Sequence, residues 1–259
     1  MAELKKAQNY RERRPADTFT PYHEWSRTHQ PGWVYWVFRI LMTLPFLILF
    51  RPRAIDIENV PTEGPAILAV NHLSNLDHFF VGAHLRRHLN FMGKSQLFAG
   101  DIPGYILNRG GVFPVRRGAA DEEAFKTAYA IFDRGGLVLM YPEGGRSRSG
   151  KPGRPKPGVG RMALESGVPV VPVAVDGTDE VRNWKRGRIP AITVAYGEPL
   201  TFDRVERPTR EQQQEVADTI FAEVVRLVEA MKTEGRRGFT KRRARERRER
   251  EQAAARDRD

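Results

Sequence analysis

Three groups of polar residues stand at the ends of apolar runs, and each has the composition of a working site. The first follows Ala66–Val70, five apolar residues without a charge. It reads Asn71-His72, with Asp77 five positions after the histidine. An imidazole at a strand end, with a carboxylate close enough to accept one ring N–H, is the minimal equipment for removing a proton from a hydroxyl near neutral pH. The carboxylate fixes the tautomer and leaves the other nitrogen free as base. The second group is Gly110-Gly111-Val112-Phe113-Pro114-Val115-Arg116-Arg117, which delivers two arginines. The third follows the apolar run Leu137–Tyr141 and reads Pro142-Glu143-Gly144-Gly145-Arg146-Ser147-Arg148. A guanidinium takes phosphate bidentately, and a carboxylate separated from it by glycines either accepts from a hydroxyl or orders the loop.

Each group alone has an ordinary explanation, such as a surface histidine or a solvated basic turn; their order along the chain is more specific. The Asn71-His72-x4-Asp77 block resembles the first motif of the glycerolipid acyltransferases of the lysophosphatidate acyltransferase (1-acyl-glycerol-3-phosphate acyltransferase) type. The Gly110–Arg117 block is similar to the second motif of that family, where a glycine and a few apolar residues lead to an arginine that holds substrate phosphate. Arg117 falls on that position, and Arg116 stands where many members carry Asp, so either arginine is a candidate. The third block resembles Phe-Pro-Glu-Gly-Thr-Arg-Ser, with Tyr141 for Phe and Gly145 for Thr. That second change removes a hydroxyl but keeps Glu143, Gly144 and Arg146. Lys156-x-Gly158 resembles the Lys-x-Gly that follows the third motif. Val168–Val175, with Pro169 and Pro172, resembles the fourth, an apolar strand whose prolines, at strand start and edge, would shape the wall of an acyl site.

This resemblance covers about 105 of the 259 residues, from Asn71 to Val175. It implies an α/β fold, a mostly parallel central sheet flanked by helices, with an N-terminal membrane-associated helical element. It also implies transfer of an acyl chain from a thioester, on coenzyme A or acyl carrier protein, to the free hydroxyl of lysophosphatidate. His72 would act as base and Asp77 would orient it. Arg116 or Arg117, with Arg146, would neutralise phosphate beside Glu143 and Gly144. Direct attack on the thioester needs no serine or cysteine acyl-enzyme. No cofactor beyond the thioester substrate and no metal is expected. Glycerol 3-phosphate or another lysolipid is the alternative acceptor. A catalytically impaired lipid-binding relative is a further alternative, motivated by Gly145.

Composition narrows the partners. Lys and Arg number 43 against 32 Asp and Glu, a net charge of +11, and cysteine is absent. Disulfides, thiol catalysis and Cys-ligated metals are therefore excluded. From Gly235 to Asp259 eleven basic residues face five acidic ones, so this tail carries +6 of the excess. Such charge implies an anionic partner, and an anionic membrane surface is preferred to nucleic acid because Trp33–Phe50 is so apolar. A Gly145-x4-Gly150-Lys151 match to a nucleotide phosphate loop fails. Pro152 replaces the magnesium-binding Ser or Thr, and Pro155 and Pro157 forbid the helix that must follow. His84 and His88, read four apart on a helix over Phe79–Leu89, lack the Glu of a His-Glu-x2-His zinc pattern.

The elements that must carry these residues follow from apolar periodicity. Residues 1–52 read as a loosely held basic arm followed by a membrane-facing helix. In Trp33–Phe50 fifteen of eighteen residues are apolar, the exceptions being Arg39, Thr43 and Pro45. That is about 27 Å of helix, just short of a full span. Arg39 inside the run, a kink expected at Pro45 and basic residues at both ends favour a helix lying in one leaflet over one that crosses. A buried helix is the plain alternative. The expected location is the cytoplasmic face of a membrane, monotopic or peripheral. Residues 53–234 read as the acyltransferase domain, with strands at Arg53–Val60, Ala66–Val70, Phe91–Gly93, Leu137–Tyr141, Val168–Val175 and Ile189–Tyr196. Helices are expected at Asp121–Asp133, Val159–Ser166 and Thr209–Lys232. Residues 235–259, with no apolar face, read as a disordered tail or a solvated helix.

Overall fold

A computed structural model describes residues 12–116, 121–147, 151–181, 187 and 189–256. Its strands are β1 (Arg53–Ile55), β2 (Ala66–Val70), β3 (Leu89–Lys94), β4 (Val112–Val115), β5 (Leu137–Met140), β6 (Val170–Asp176) and β7 (Thr193–Tyr196). They form one sheet in the order β1-β7-β6-β2-β5-β3-β4. Only the β6–β7 pair is antiparallel. β2 occupies the centre, and a central strand of a covered parallel sheet must be apolar on both faces, which is why Ala66–Val70 carries no polar residue. Its alternate side chains serve two cores. Ala66, Leu68 and Val70 pack on one face, whereas Ile67 and Ala69 pack on the other.

The helices are α1 (Thr20–Thr28), α2 (Trp33–Phe50), α3 (Asp77–Ala83), α4 (Asp101–Arg109), α5 (Glu122–Asp133), α6 (Gly158–Ser166) and α7 (Arg210–Arg256). Phe46 and Phe50 of α2 pack on Phe80 of α3 over the first face. α5, α6 and the first part of α7 cover the second, through Ala128, Ile131, Met162, Ala217 and Ile220. A Cβ on Gly160 would stand 1.8 Å from the Gln213 carbonyl, so α6 and α7 touch backbone to backbone there.

Several elements differ from their sequence reading. The first strand stops at Ile55, because Asp56 turns into the left-handed region (φ 56°) and opens a short 3-10 turn. α3 ends at Ala83, so His84 and His88 do not share a helix face; Arg39 terminates it by donating to the carbonyls of Gly82 (2.8 Å), Leu85 and Arg87 (3.1 Å). The one charge inside the apolar helix therefore has a structural partner, and α2 runs unbroken through Pro45. The N-terminal arm is not loose over its described part. α1 docks on α5 and α4, with His23 Nδ1 2.9 Å from Thr127 Oγ1, Arg27 on Glu123 at 2.5 Å and Asn108 donating to Ser26 Oγ at 2.9 Å. Burial lowers the pKa of His23 to about 4, so this contact is made by a neutral ring.

The basic tail is likewise ordered as far as Arg256. α7 bends at Gly235 (φ 66°) and continues as a helix against the edge strand β1. Arg236 donates to the Arg51 carbonyl, Phe239 is buried beside Ile55, Arg243 pairs with Asp56, and Arg247 and Arg250 pair with Glu58 and Glu198. The tail, read for want of an apolar face as disordered or a solvated helix, is a helix held to the core by one phenylalanine and by scattered acids.

Candidate functional site

β5, β2 and β6 are neighbours and end at the same edge of the sheet, so residues that follow them meet there. His72 and Glu143 are 71 positions apart, Asp77 and Thr178 are 101 apart, and both pairs are hydrogen-bonded. Asn71 continues the β2–β6 ladder with its side chain. Its amide donates to the Val175 carbonyl (2.9 Å) and its oxygen accepts the Val175 N–H (2.7 Å). This fixes the exit of the chain from β2 and hence the position of His72.

His72 Nδ1–H donates to Asp77 Oδ2 at 2.8 Å. The same oxygen accepts the N–H groups of Leu73 (2.8 Å) and Ser74 (2.9 Å), and Oδ1 accepts the Thr178 hydroxyl at 2.5 Å. Asp77 and Thr178 are fully buried. With four donors converging on it, the carboxyl acts as an acceptor, so the imidazole proton sits on Nδ1 and Nε2 is the base. The ring plane is fixed independently: Tyr141 stacks on His72 with centroids 3.8 Å apart and planes 15° from parallel. The Tyr141 hydroxyl lies buried beside the His78 backbone, and burial, with the Asp77 charge second, pushes its pKa well above the usual value. His78 stacks on Phe91, and burial lowers its pKa to about 4, so it does not compete as a base.

Glu143 places both oxygens on backbone donors, His72 N–H (3.0 Å) and Gly153 N–H (2.8 Å). Of the two roles open to it in the sequence, it fills that of ordering the loop. Ser147 N–H closes the same loop on the His72 carbonyl at 2.7 Å, and Lys156 N–H on that of Pro142 at 2.8 Å. Gly144 adopts φ 67°, and a Cβ there would lie 2.9 Å from Lys156 Nζ, so glycine is needed for both the turn and the lysine. Gly145 has nothing within 4 Å of an added Cβ, so the loop has room there for the Cβ of a threonine.

Among the arginines, Arg146 is exposed on the loop beside His72. Arg116 is engaged within the chain: its N–H donates to Asp121 Oδ2 at 2.6 Å and its Nε lies 3.6 Å from Oδ1. Arg117, the other candidate for phosphate, lies outside the described residues. Gly158 opens α6 directly after the Lys156 loop. Pro172 is not at an edge. It lies inside β6, opposite Ala69 of β2, with its carbonyl accepting Gly197 N–H at 2.7 Å. Its missing N–H falls on the β7 side, where Gly197 leaves the ladder, so proline interrupts no pairing with β2. His84 and His88 lie away from this edge, near α2, where His88 packs against Tyr35 and Trp36.

Two contributors escaped the sequence reading. Thr178 follows β6 in an unremarkable Gly-Thr pair, and only its place at the carboxyl end of the strand beside β2 signals a role. Tyr141 was read as a motif position, and its contact with the His72 ring depends on β2 and β5 being neighbours.

A mostly parallel α/β sheet thus holds a carboxylate-oriented histidine at its carboxyl edge, beside a glycine-hinged loop carrying a guanidinium, groups chemically able to take a proton from a hydroxyl and to bind an anion. Residues 51–176 match the Acyltransferase family model. Over 128 residues the chain is 31% identical to the 1-acyl-sn-glycerol-3-phosphate acyltransferase LPAT1, chloroplastic, of Arabidopsis thaliana, a match covering 48% of this chain and 36% of that one. The chain thus spans little more than a third of that relative, and 37% of the similar Brassica napus protein. It is 29% identical over 236 residues to the lyso-ornithine lipid O-acyltransferase of Pseudomonas aeruginosa, covering 82% of this chain and 84% of the relative. The crystal structure of the 1-acyl-sn-glycerophosphate (LPA) acyltransferase PlsC from Thermotoga maritima shares the fold. The TM-score is 0.56, with 19% identity, over 83% of this chain and 89% of that one.

Proposed function

We propose that this protein transfers a fatty acyl chain from an acyl thioester, on coenzyme A or acyl carrier protein, to the free hydroxyl of lysophosphatidate. The observation that carries the reading is the His72–Asp77 pair at the sheet edge, with Nε2 bonded to none of the described residues and Arg146 exposed on the loop that Ser147 closes onto the His72 carbonyl. His72 Nε2 takes the hydroxyl proton as the oxygen attacks the thioester carbonyl. The C–O bond forms, the C–S bond breaks, and the departing thiolate receives the proton from the imidazolium. Asp77 holds the ring for both transfers, and Arg146 binds the acceptor phosphate, joined by Arg117 as the second-motif resemblance implies.

The acceptor reaches this site from a membrane. α2 is apolar and long enough to cross one by length and composition, with mean hydropathy 1.8, yet Trp33 is 76% exposed and Ile48 67%. A helix lying in the cytoplasmic leaflet, where a soluble thioester donor is available, accounts for that surface. A second reading comes from the relative that matches most of the chain: the acceptor is a lyso-ornithine lipid or another lysolipid. Arg116, being paired with Asp121, is consistent with fewer free cations than a phosphate site of three arginines would offer. Assay of purified full-length protein on lysophosphatidate, glycerol 3-phosphate and lyso-ornithine lipid decides among them. Under the first reading lysophosphatidate has the highest kcat/KM, and Arg146→Ala lowers it by roughly 10- to 150-fold through acceptor KM, the equivalent of about 1.5–3 kcal/mol. A preference for lyso-ornithine lipid that survives Arg146→Ala would overturn it in favour of the second.

A further inference from the structure

Exposed large apolar side chains concentrate, among the described residues, on two helices. Among the described residues, every exposed large apolar side chain except Ile189 belongs to α2, to α4 or to Leu97 just before α4. On α4 the stripe is Ile102, Tyr105 and Ile106, which are 74%, 53% and 42% exposed, at the i, i+3, i+4 spacing of a single helix face. Its opposite face is fully occupied. Gly104 sits so close to Tyr22 that a Cβ would meet the phenol oxygen at 2.4 Å, and Asn108 donates to the Tyr22 carbonyl (3.1 Å) and Ser26 Oγ (2.9 Å) of α1. At the end of the stripe the Arg109 guanidinium lies 3.9 Å over the Trp25 ring of α1 and 4.7 Å from the ring of Tyr105, so Trp25 ties this end of α4 to α1.

The strand register places α4 on the same side of the sheet as α2. Leu137 and Leu139 of β5 face the core beneath α2 and α3. Phe91 pairs with Leu139, and Val112 pairs with Phe91, so these side chains point the same way, and Val112 is covered together with Leu107 of α4. The outward faces of α2 and α4 therefore look in one direction. α4 also begins at the edge where β3, parallel to β2 through β5, ends, which puts Ile102 at the His72 end of the sheet.

We propose that α4 seats its Ile102–Tyr105–Ile106 stripe in the same leaflet as α2, giving the protein a two-helix membrane face with the catalytic edge of the sheet held at the lipid surface. This rests on the membrane reading of α2 given above. The occupant is lipid: the stripe continues a surface with the length and hydropathy of a membrane helix, and α4's protein-facing side is already filled.

Because the chain contains no cysteine, a single labelled cysteine reports position. In the full-length protein, Tyr105→Cys, Ile40→Cys on α2 and Lys126→Cys on the far face are each labelled with an environment-sensitive fluorophore. They are mixed with phosphatidylethanolamine–phosphatidylglycerol vesicles bearing a chain-attached quencher. The labels at 105 and 40 should both be quenched and that at 126 should not. In the unlabelled protein, Ile102→Asp with Tyr105→Asp should weaken vesicle binding at high ionic strength by about tenfold or more, since two apolar side chains leave the lipid. A label at 105 that stays in water while that at 40 is quenched would overturn the role of α4 and leave α2 standing. If both stay in water, the membrane reading falls with it. Protection of the 105 label without vesicles would assign the stripe to a second copy of the chain instead.

Discussion

Thr178→Val removes one donor from the catalytic carboxylate without touching substrate, and its effect can be worked out from the site. Asp77 Oδ1 accepts the Thr178 hydroxyl at 2.5 Å, with both side chains out of contact with solvent, so no water replaces the lost bond. A hydrogen bond to a charged group is worth about 1.5–3 kcal/mol. If the whole of this falls on the transition state, where His72 must hold a proton against Asp77, kcat drops by roughly 10- to 150-fold. If it falls on folding instead, Tm drops by several degrees, at about 2–4 °C per kcal/mol for a chain of this size. Measuring both, with single-turnover acyl transfer and thermal unfolding, separates the two. The expected result is a loss in kcat with acceptor KM unchanged, and recovery in Thr178→Ser, which restores the hydroxyl. A Thr178→Val protein with unaltered kcat, or one whose defect lies only in KM, would refute the claim that Thr178 positions Asp77.

Tyr141→Phe keeps the ring on His72 and should retain activity within about threefold, whereas Tyr141→Leu should lower kcat by about tenfold or more, as the imidazolium formed during proton transfer loses its aromatic face. Equal activity in the two variants would dismiss the stack. Arg243→Ala leaves Asp56 buried and unpaired and should cost about 3–5 kcal/mol, read by denaturant unfolding. Burial already raises the pKa of Asp56 in the folded protein. The folded state then binds the proton at higher pH than the unfolded chain does, so the penalty is full at neutral pH and shrinks as pH falls through the folded-state pKa. A deficit independent of pH would contradict this. Gly160→Ala drives a Cβ into the Gln213 carbonyl and should lower Tm clearly while leaving the His72–Asp77 pair intact; an unchanged Tm would mean that α6 and α7 can separate freely.

The motif blocks were legible because the chemistry is local at each strand end: an apolar run, then a His, Asp, Glu or Arg within a few residues. β2, β5 and β6 were legible for the same reason, since strands covered on both faces are unbroken apolar runs. What the sequence could not reveal depends on strand order. Tyr141 meets His72 only because β5 lies beside β2, and Thr178 meets Asp77 only because β6 lies on the other side. α4 escaped because Pro103 and Gly104 interrupt a short and only partly apolar segment. The tail misled for a physical reason as well. Helix periodicity registers apolar stripes, but this helix is held by Phe239 and by charge pairs to Asp56, Glu58 and Glu198, acids 187, 189 and 52 residues away from their arginines. Arg39, which argued against a spanning helix by its charge, donates to the carbonyls at the end of α3.

The most direct test of the central claim is acyl transfer by His72→Ala, measured on purified full-length protein with lysophosphatidate and an acyl-coenzyme A donor, alongside circular dichroism and vesicle binding. Loss of the general base should lower kcat by about 10²–10⁴-fold while fold and lipid binding match the unaltered protein. A His72→Ala protein that keeps half its activity over the same pH range would contradict the assignment of His72 Nε2 as the base.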